Sequence, residues 1–177
     1  EIKSTKAAGT LKVKSERGVL IVGHDRGGFT TEQVQDFAAQ LGWPLVSEDP
    51  LSFKDCIAHA SLFLTSTAIA KDLTPKTVIV IGRTTLSRSI NNFIASASKQ
   101  IIIDSRIATV DTDRYADKRF TQMPALESNE ADQEWLEKWQ KFSQRTANEL
   151  EKITQWSEPV LARTVAASVK SGTTLFV

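Results

Sequence analysis

The sequence is poor in the residues that most often carry chemistry or anchorage. Its one cysteine, Cys56, leaves no partner for an intramolecular disulfide and fits a reducing, cytoplasmic compartment. His24 and His59 are the only histidines, and neither has a metal-ligating neighbour at close spacing. No Ser-His-Asp or Cys-His motif is present, so no catalytic centre is legible. The formal net charge of +1 lacks the basic excess of a dedicated nucleic-acid surface. No apolar run approaches the ~20 residues of a membrane span. The charged first residues lack the hydrophobic segment of a signal peptide. There is no internal repeat and no low-complexity tract.

What remains is an ordinary globular composition. With 177 residues, 41% apolar and 24% charged, the chain suits one α/β domain with a real core. Its ends are unusual: it opens on Glu1 and closes on Gly172-Thr-Thr-Leu-Phe-Val177, which reads as a strand just beginning. The expectation is a piece of a longer protein.

Along the chain, residues up to Arg17 show no apolar periodicity and read as linker. Gly18-Val-Leu-Ile-Val-Gly23 is a buried strand, followed by a loop through His24, Asp25, Arg26, Gly27 and Gly28. Thr30 and Gln33 form a capping box for a helix bearing Val34, Phe37, Ala38 and Leu41, which Gly42 stops. Trp43 to Val46 is a short strand, and Lys54 to Thr65 reads as a helix with Cys56 on its apolar face and His59 in its middle. Thr77 to Ile81 is a second β-branched run, ending in Gly82-Arg83-Thr84-Thr85-Leu86-Ser87-Arg88 before another helical pattern. Gln100 to Asp104 is a further buried strand, and a short one is expected near Thr121 to Met123. Asn129 to Trp156 reads as a long helix whose tryptophans, at i and i+4, form a core stripe rather than a stacking platform. Pro159 opens a last helix through Val169. This alternation predicts a doubly wound, mostly parallel sheet flanked by helices.

Open sheets of this kind bind ligands beyond the carboxyl ends of their strands. Arg83 and Arg88 lie at that edge after the second β-branched run, and Arg106 lies there after Asp104. They are either surface arginines that cap carbonyls or pair with Asp104, or a fork for a carboxylate. A dinucleotide reading of Gly23-x-x-x-Gly27-Gly28 lacks the G-x-G-x-x-G spacing, and Glu48 follows the short strand inside a turn. Those glycines more simply permit a tight loop.

Three stretches carry a resemblance to a known family: Gly18-Val-Leu-Ile-Val-Gly23-His24, Leu41-Gly-Trp-Pro-Leu45, and Gly82-Arg-Thr-Thr-Leu-Ser-Arg88. They resemble the central domain of the thiamine-diphosphate-dependent 2-succinyl-5-enolpyruvyl-6-hydroxy-3-cyclohexene-1-carboxylate synthases of menaquinone biosynthesis. Leu161 to Val177 is similar to the start of that family's third domain. The resemblance implies a linker over 1–17, a central Rossmann-like domain over 18–156, and a truncated diphosphate-binding domain over 157–177. It also implies an intact homo-oligomeric transferase that decarboxylates 2-oxoglutarate and adds the succinyl carbanion to isochorismate. Thiamine diphosphate and Mg²⁺ would serve that intact enzyme and bind outside this chain, which has no Gly-Asp pair of the diphosphate motif. The chain's partners would be the remaining domains, its own role structural, with Arg88 contacting a substrate carboxylate. The family also implies an alternative, a regulatory pocket for 1,4-dihydroxy-2-naphthoate served by Arg83 and Arg88. An unrelated nucleotide-binding domain is the remaining alternative.

Overall fold

The computed structural model describes residues 9–13, 17–106, 116–127 and 131–175. The elements in chain order are β1 (Thr10–Leu11), β2 (Gly18–Val22), α1 (Thr31–Leu41), β3 (Leu45–Ser47), α2 (Ala60–Phe63), α3 (Thr67–Asp72) and β4 (Thr77–Ile81). They continue with α4 (Arg88–Ser96), β5 (Lys99–Ile103), β6 (Lys118–Phe120), β7 (Ala125–Leu126), α5 (Gln133–Glu151) and α6 (Glu158–Ser168). β2 to β6 form one parallel sheet in the order β3-β2-β4-β5-β6. The chain moves outward from β2 to β3, then returns across β2 to build the other half. The winding therefore reverses between β2 and β4, which makes their carboxyl ends the place for a crevice.

The β-branched strands are buried on both faces because each alternate side chain finds a different layer. Leu20, Val22, Ile79, Ile81, Ile101 and Ile103 pack towards α1 and β1. Val19, Ile21, Val78, Val80 and Ile102 pack towards α2, α4 and the start of α5. Trp139 is fully buried there, edge-on to Phe63, Phe93 and Trp135. The Trp135 indole donates to the Gly18 carbonyl at 2.9 Å. On the other face, a Cβ at Gly18 would lie 2.3 Å from the Trp43 ring, so glycine there is a packing requirement. The capping box of Thr30 and Gln33 forms as expected, and Gly42 closes α1 in the left-handed region at φ 62°.

Several local expectations are corrected. Residues 54–59 are not helical. Asp55 and His59 adopt left-handed backbone, and the Ile57 amide bonds to the Leu45 carbonyl at 2.7 Å, extending the sheet edge. Helix starts only at Ala60, so His59 precedes α2, and Cys56 lies in the turn before it. The stretch expected as linker contains β1, which pairs in parallel with β7, and both Leu11 in it and Val13 after it are buried. The strand expected at Thr121–Met123 forms three residues earlier, where Phe120 reaches the core. α5 ends at Glu151, leaving Trp156 outside it and 71% exposed. α6 begins with Pro159 in its first turn but buries no residue. Thr173 to Leu175 form no strand, and Phe176 and Val177 lie outside the described residues. Among the described residues, no helix is long and apolar enough to cross a membrane.

Candidate functional site

The carboxyl edge of the sheet is closed by the chain's own backbone at the crossover between β2 and β4. A Cβ at Gly23 would sit 1.4 Å from the Arg83 carbonyl oxygen, and one at Gly27 would meet Gly82 and Asp104 at 3.1 to 3.2 Å. The glycines after β2 thus let two loops approach each other. In a dinucleotide fold, the corresponding freedom serves a pyrophosphate.

Across this edge runs a cluster of two carboxylates and two guanidinium groups. Asp104, whose side chain is 2% exposed, accepts from Arg106 Nε at 2.8 Å and from its Nη2. Arg106 also donates from Nη1 and Nη2 to the two oxygens of Asp25, each at 2.9 Å. These bonds engage every nitrogen of the fork and push the Arg106 pKa upward, Asp104 contributing most and Asp25 next. Burial pushes the Asp25 carboxyl up. The hydrogen bonds from Arg106 and the Gly27 amide outweigh that and hold it below its ordinary value. Arg83 reaches Asp25 at 3.8 Å and stays half exposed. The structure therefore gathers Arg83 and Arg106 around Asp25.

Arg88 stands apart from them. It is the first residue of α4, exposed, and makes no ion pair or side-chain hydrogen bond among the described residues. It lines an open groove of about 780 Å³ between α3 and α4, with Lys71, Thr67, Ser87 and Asn92. A cation at the first position of a helix is opposed by the helix dipole, so local stability does not explain it. The loop that presents it is fastened throughout. His24 donates from Nδ1 to the Thr84 carbonyl at 3.0 Å. Thr85, 4% exposed, exchanges hydrogen bonds with Asn91, which donates back to its carbonyl at 2.8 Å. Glu48 accepts from the Leu86 amide and from the Ser87 amide, the latter at 3.3 Å. The Ser87 hydroxyl caps the Ile90 amide. What projects from this fixed backbone is Leu86, 84% exposed, and the Arg88 side chain.

Asp25, Glu48, Lys71 and Asn91 join the sequence-derived arginines only here. Glu48 stood out in the sequence only as a poorly placed ribose acid, and Lys71 carried no signal there. Cys56 takes no part: burial pushes its thiol up to about 11. The described residues do not suit a diphosphate bound through Mg²⁺. None of them form a group of three acidic, cysteine or histidine ligands. Asp25 and Asp104 are already paired with Arg106, and Glu48 occupies the amides leading into α4.

The family model for the middle domain of thiamine pyrophosphate enzymes matches residues 2–177. The chain is similar to three curated proteins named 2-succinyl-5-enolpyruvyl-6-hydroxy-3-cyclohexene-1-carboxylate synthase. One, from Saccharopolyspora erythraea, is 25% identical over 93% of the chain and 30% of the relative. Another, from Listeria welshimeri, is 30% identical over 76% of the chain and 26% of the relative. The third, from Thermobifida fusca, is 28% identical over 91% of the chain and 30% of the relative. The chain thus spans less than a third of each of these relatives.

Proposed function

Given that the chain belongs to the middle-domain family of thiamine pyrophosphate enzymes, we propose that it works within a menaquinone-pathway synthase and contributes Arg88 to carboxylate binding. The intact protein would decarboxylate 2-oxoglutarate and add the succinyl carbanion to isochorismate, with thiamine diphosphate as the electron sink. Cofactor and Mg²⁺ would be held by the remaining domains of a homo-oligomer in the cytoplasm. The chain itself would be non-catalytic, with residues 157–177 leading into the next domain.

The observation that carries this reading is the Arg88 guanidinium, unpaired among the described residues, on a loop whose backbone is bonded at nearly every residue. A forked donor on an anchored backbone, with no carboxylate partner among the described residues, is suited to a ligand carboxylate. Both proposed substrates carry carboxylates. Leu86 and Leu51, 84% and 97% exposed, offer apolar surface near the same edge for the rest of the protein. Arg106 holds the edge together, because its fork is bonded to Asp25 and Asp104. Arg83 is a secondary candidate, half exposed and only loosely drawn to Asp25.

The test is an assay of the full-length protein with 2-oxoglutarate, isochorismate, thiamine diphosphate and Mg²⁺. Carbon dioxide release coupled to loss of isochorismate is expected. Turnover of 2-oxoglutarate that ignores isochorismate would contradict the assignment.

A further inference from the structure

Glu48 lies at the end of β3, 38 residues before Leu86, yet its carboxylate takes the backbone amides of both Leu86 and Ser87. Helix capping does not explain this, because the Ser87 hydroxyl already serves the Ile90 amide at 3.4 Å. The two amides that Glu48 accepts from belong to the loop residues immediately before Arg88. Glu48 is itself held to the sheet by its amide, which donates to the Val22 carbonyl at 3.4 Å. A carboxylate fixed to the sheet thus grips the segment that presents the free guanidinium. Its negative charge also offsets the cost of a cation at the amino end of α4. Without it, the loop keeps the Thr85–Asn91 pair and the Thr85 hydroxyl on the Ser87 carbonyl, while the Leu86 and Ser87 amides lose the side-chain acceptor they have among the described residues.

We propose that Glu48 is a positioning residue that sets where Arg88 meets a substrate carboxylate. The inference rests on the carboxylate-binding reading of Arg88 and adds a residue that touches no substrate. Displacing a positioned group by about an ångström can weaken its interaction by an order of magnitude or more.

The experiment is a double-mutant cycle in the full-length enzyme with 2-oxoglutarate and isochorismate varied in turn, read on the substrate whose KM Arg88→Ala raises. Glu48→Ala is expected to raise KM roughly tenfold with kcat within about twofold. Glu48→Gln keeps an accepting oxygen and is expected to stay within about threefold of the parent. In an Arg88→Ala background, Glu48→Ala is expected to add less than about twofold, because its effect passes through the missing guanidinium. A full effect in that background overturns the proposal, as does an unchanged KM in Glu48→Ala where Arg88→Ala raises it. An unchanged KM for both substrates in Arg88→Ala removes the carboxylate reading first, and this proposal with it. Amide exchange in the parent protein supplies a readout that does not need the alanine variant to fold. Leu86 and Ser87 amides protected more strongly than that of Leu51 support the anchor, and unprotected amides overturn it.

Discussion

Arg106 grips Asp25 through two parallel hydrogen bonds of 2.9 Å, although the residues lie 81 positions apart in the chain. The pair links the loop after β2 to the loop after β5, across the intervening end of β4. Among the described residues, the buried Asp104 has Arg106 as its one cation. Arg106→Ala would leave that carboxylate, 2% exposed, with the residue-106 amide but without its guanidinium, whereas Arg106 itself keeps a third of its side chain in water. The expected loss is about 2–3 kcal/mol, below the full cost of breaking a wholly buried pair. A fall in the urea midpoint with unchanged slope would verify it.

Asp25 gives the same cluster a pH signature. Its folded carboxyl is held below the ordinary value of 3.8, so the ionised form is the one the fold stabilises. That contribution is fully present above the ordinary value and disappears as pH falls through the folded value. Urea midpoints of the parent and Asp25→Asn should differ by a constant amount from neutrality down to about pH 5 and converge below pH 4. A difference that grows on acidification would contradict the cluster.

Cys56 should behave as an inert packed thiol. With its thiol pushed up to about 11, chiefly by burial, little thiolate exists near neutrality. Labelling by a disulfide reagent at pH 8 is expected to be slow in the native protein and at least ~100-fold faster in denaturant. Rapid native labelling would show that the turn before α2 opens.

The contact of Gly23 with Arg83 bears on the nucleotide alternative. With the Arg83 carbonyl 1.4 Å from a would-be Cβ, Gly23→Ala has no room and is expected to cost on the order of 3 kcal/mol or more. Because the loops approach each other there, NAD added to the protein should leave its melting temperature unchanged. A clear rise would mean that the nucleotide binds the native state.

How much of this was legible depends on the range of the interactions. The strand at Thr77–Ile81, the capping box at Thr30 and the stop at Gly42 are written in adjacent residues, and the fold follows from their alternation. The segment Lys54 to Thr65 misled because Ile57, Ala60, Phe63 and Leu64 are all buried, as a helix would require. The backbone instead reaches that burial through two left-handed residues and a sheet-edge bond. β1 was invisible because a two-residue strand has no period, and only its partner β7 defines it. At the site, the positions of Arg83, Arg88 and Arg106 follow from the strand ends. Their different states do not, because Asp25 and Glu48 reach them from 81 and 38 residues away. Sequence spacing alone could not separate the paired Arg106 from Arg88, which has no ion pair among the described residues.

The measurement that bears most directly on Arg88 as a carboxylate contact is the steady-state kinetics of Arg88→Ala in the full-length enzyme. Losing a charge-assisted fork should raise KM for 2-oxoglutarate or isochorismate on the order of 50-fold, with Arg88→Lys recovering part of the loss. Melting should stay within about 1 °C of the parent, since Arg88 supports no described contact. An unchanged KM for both substrates would contradict the assignment and leave Arg88 a surface residue.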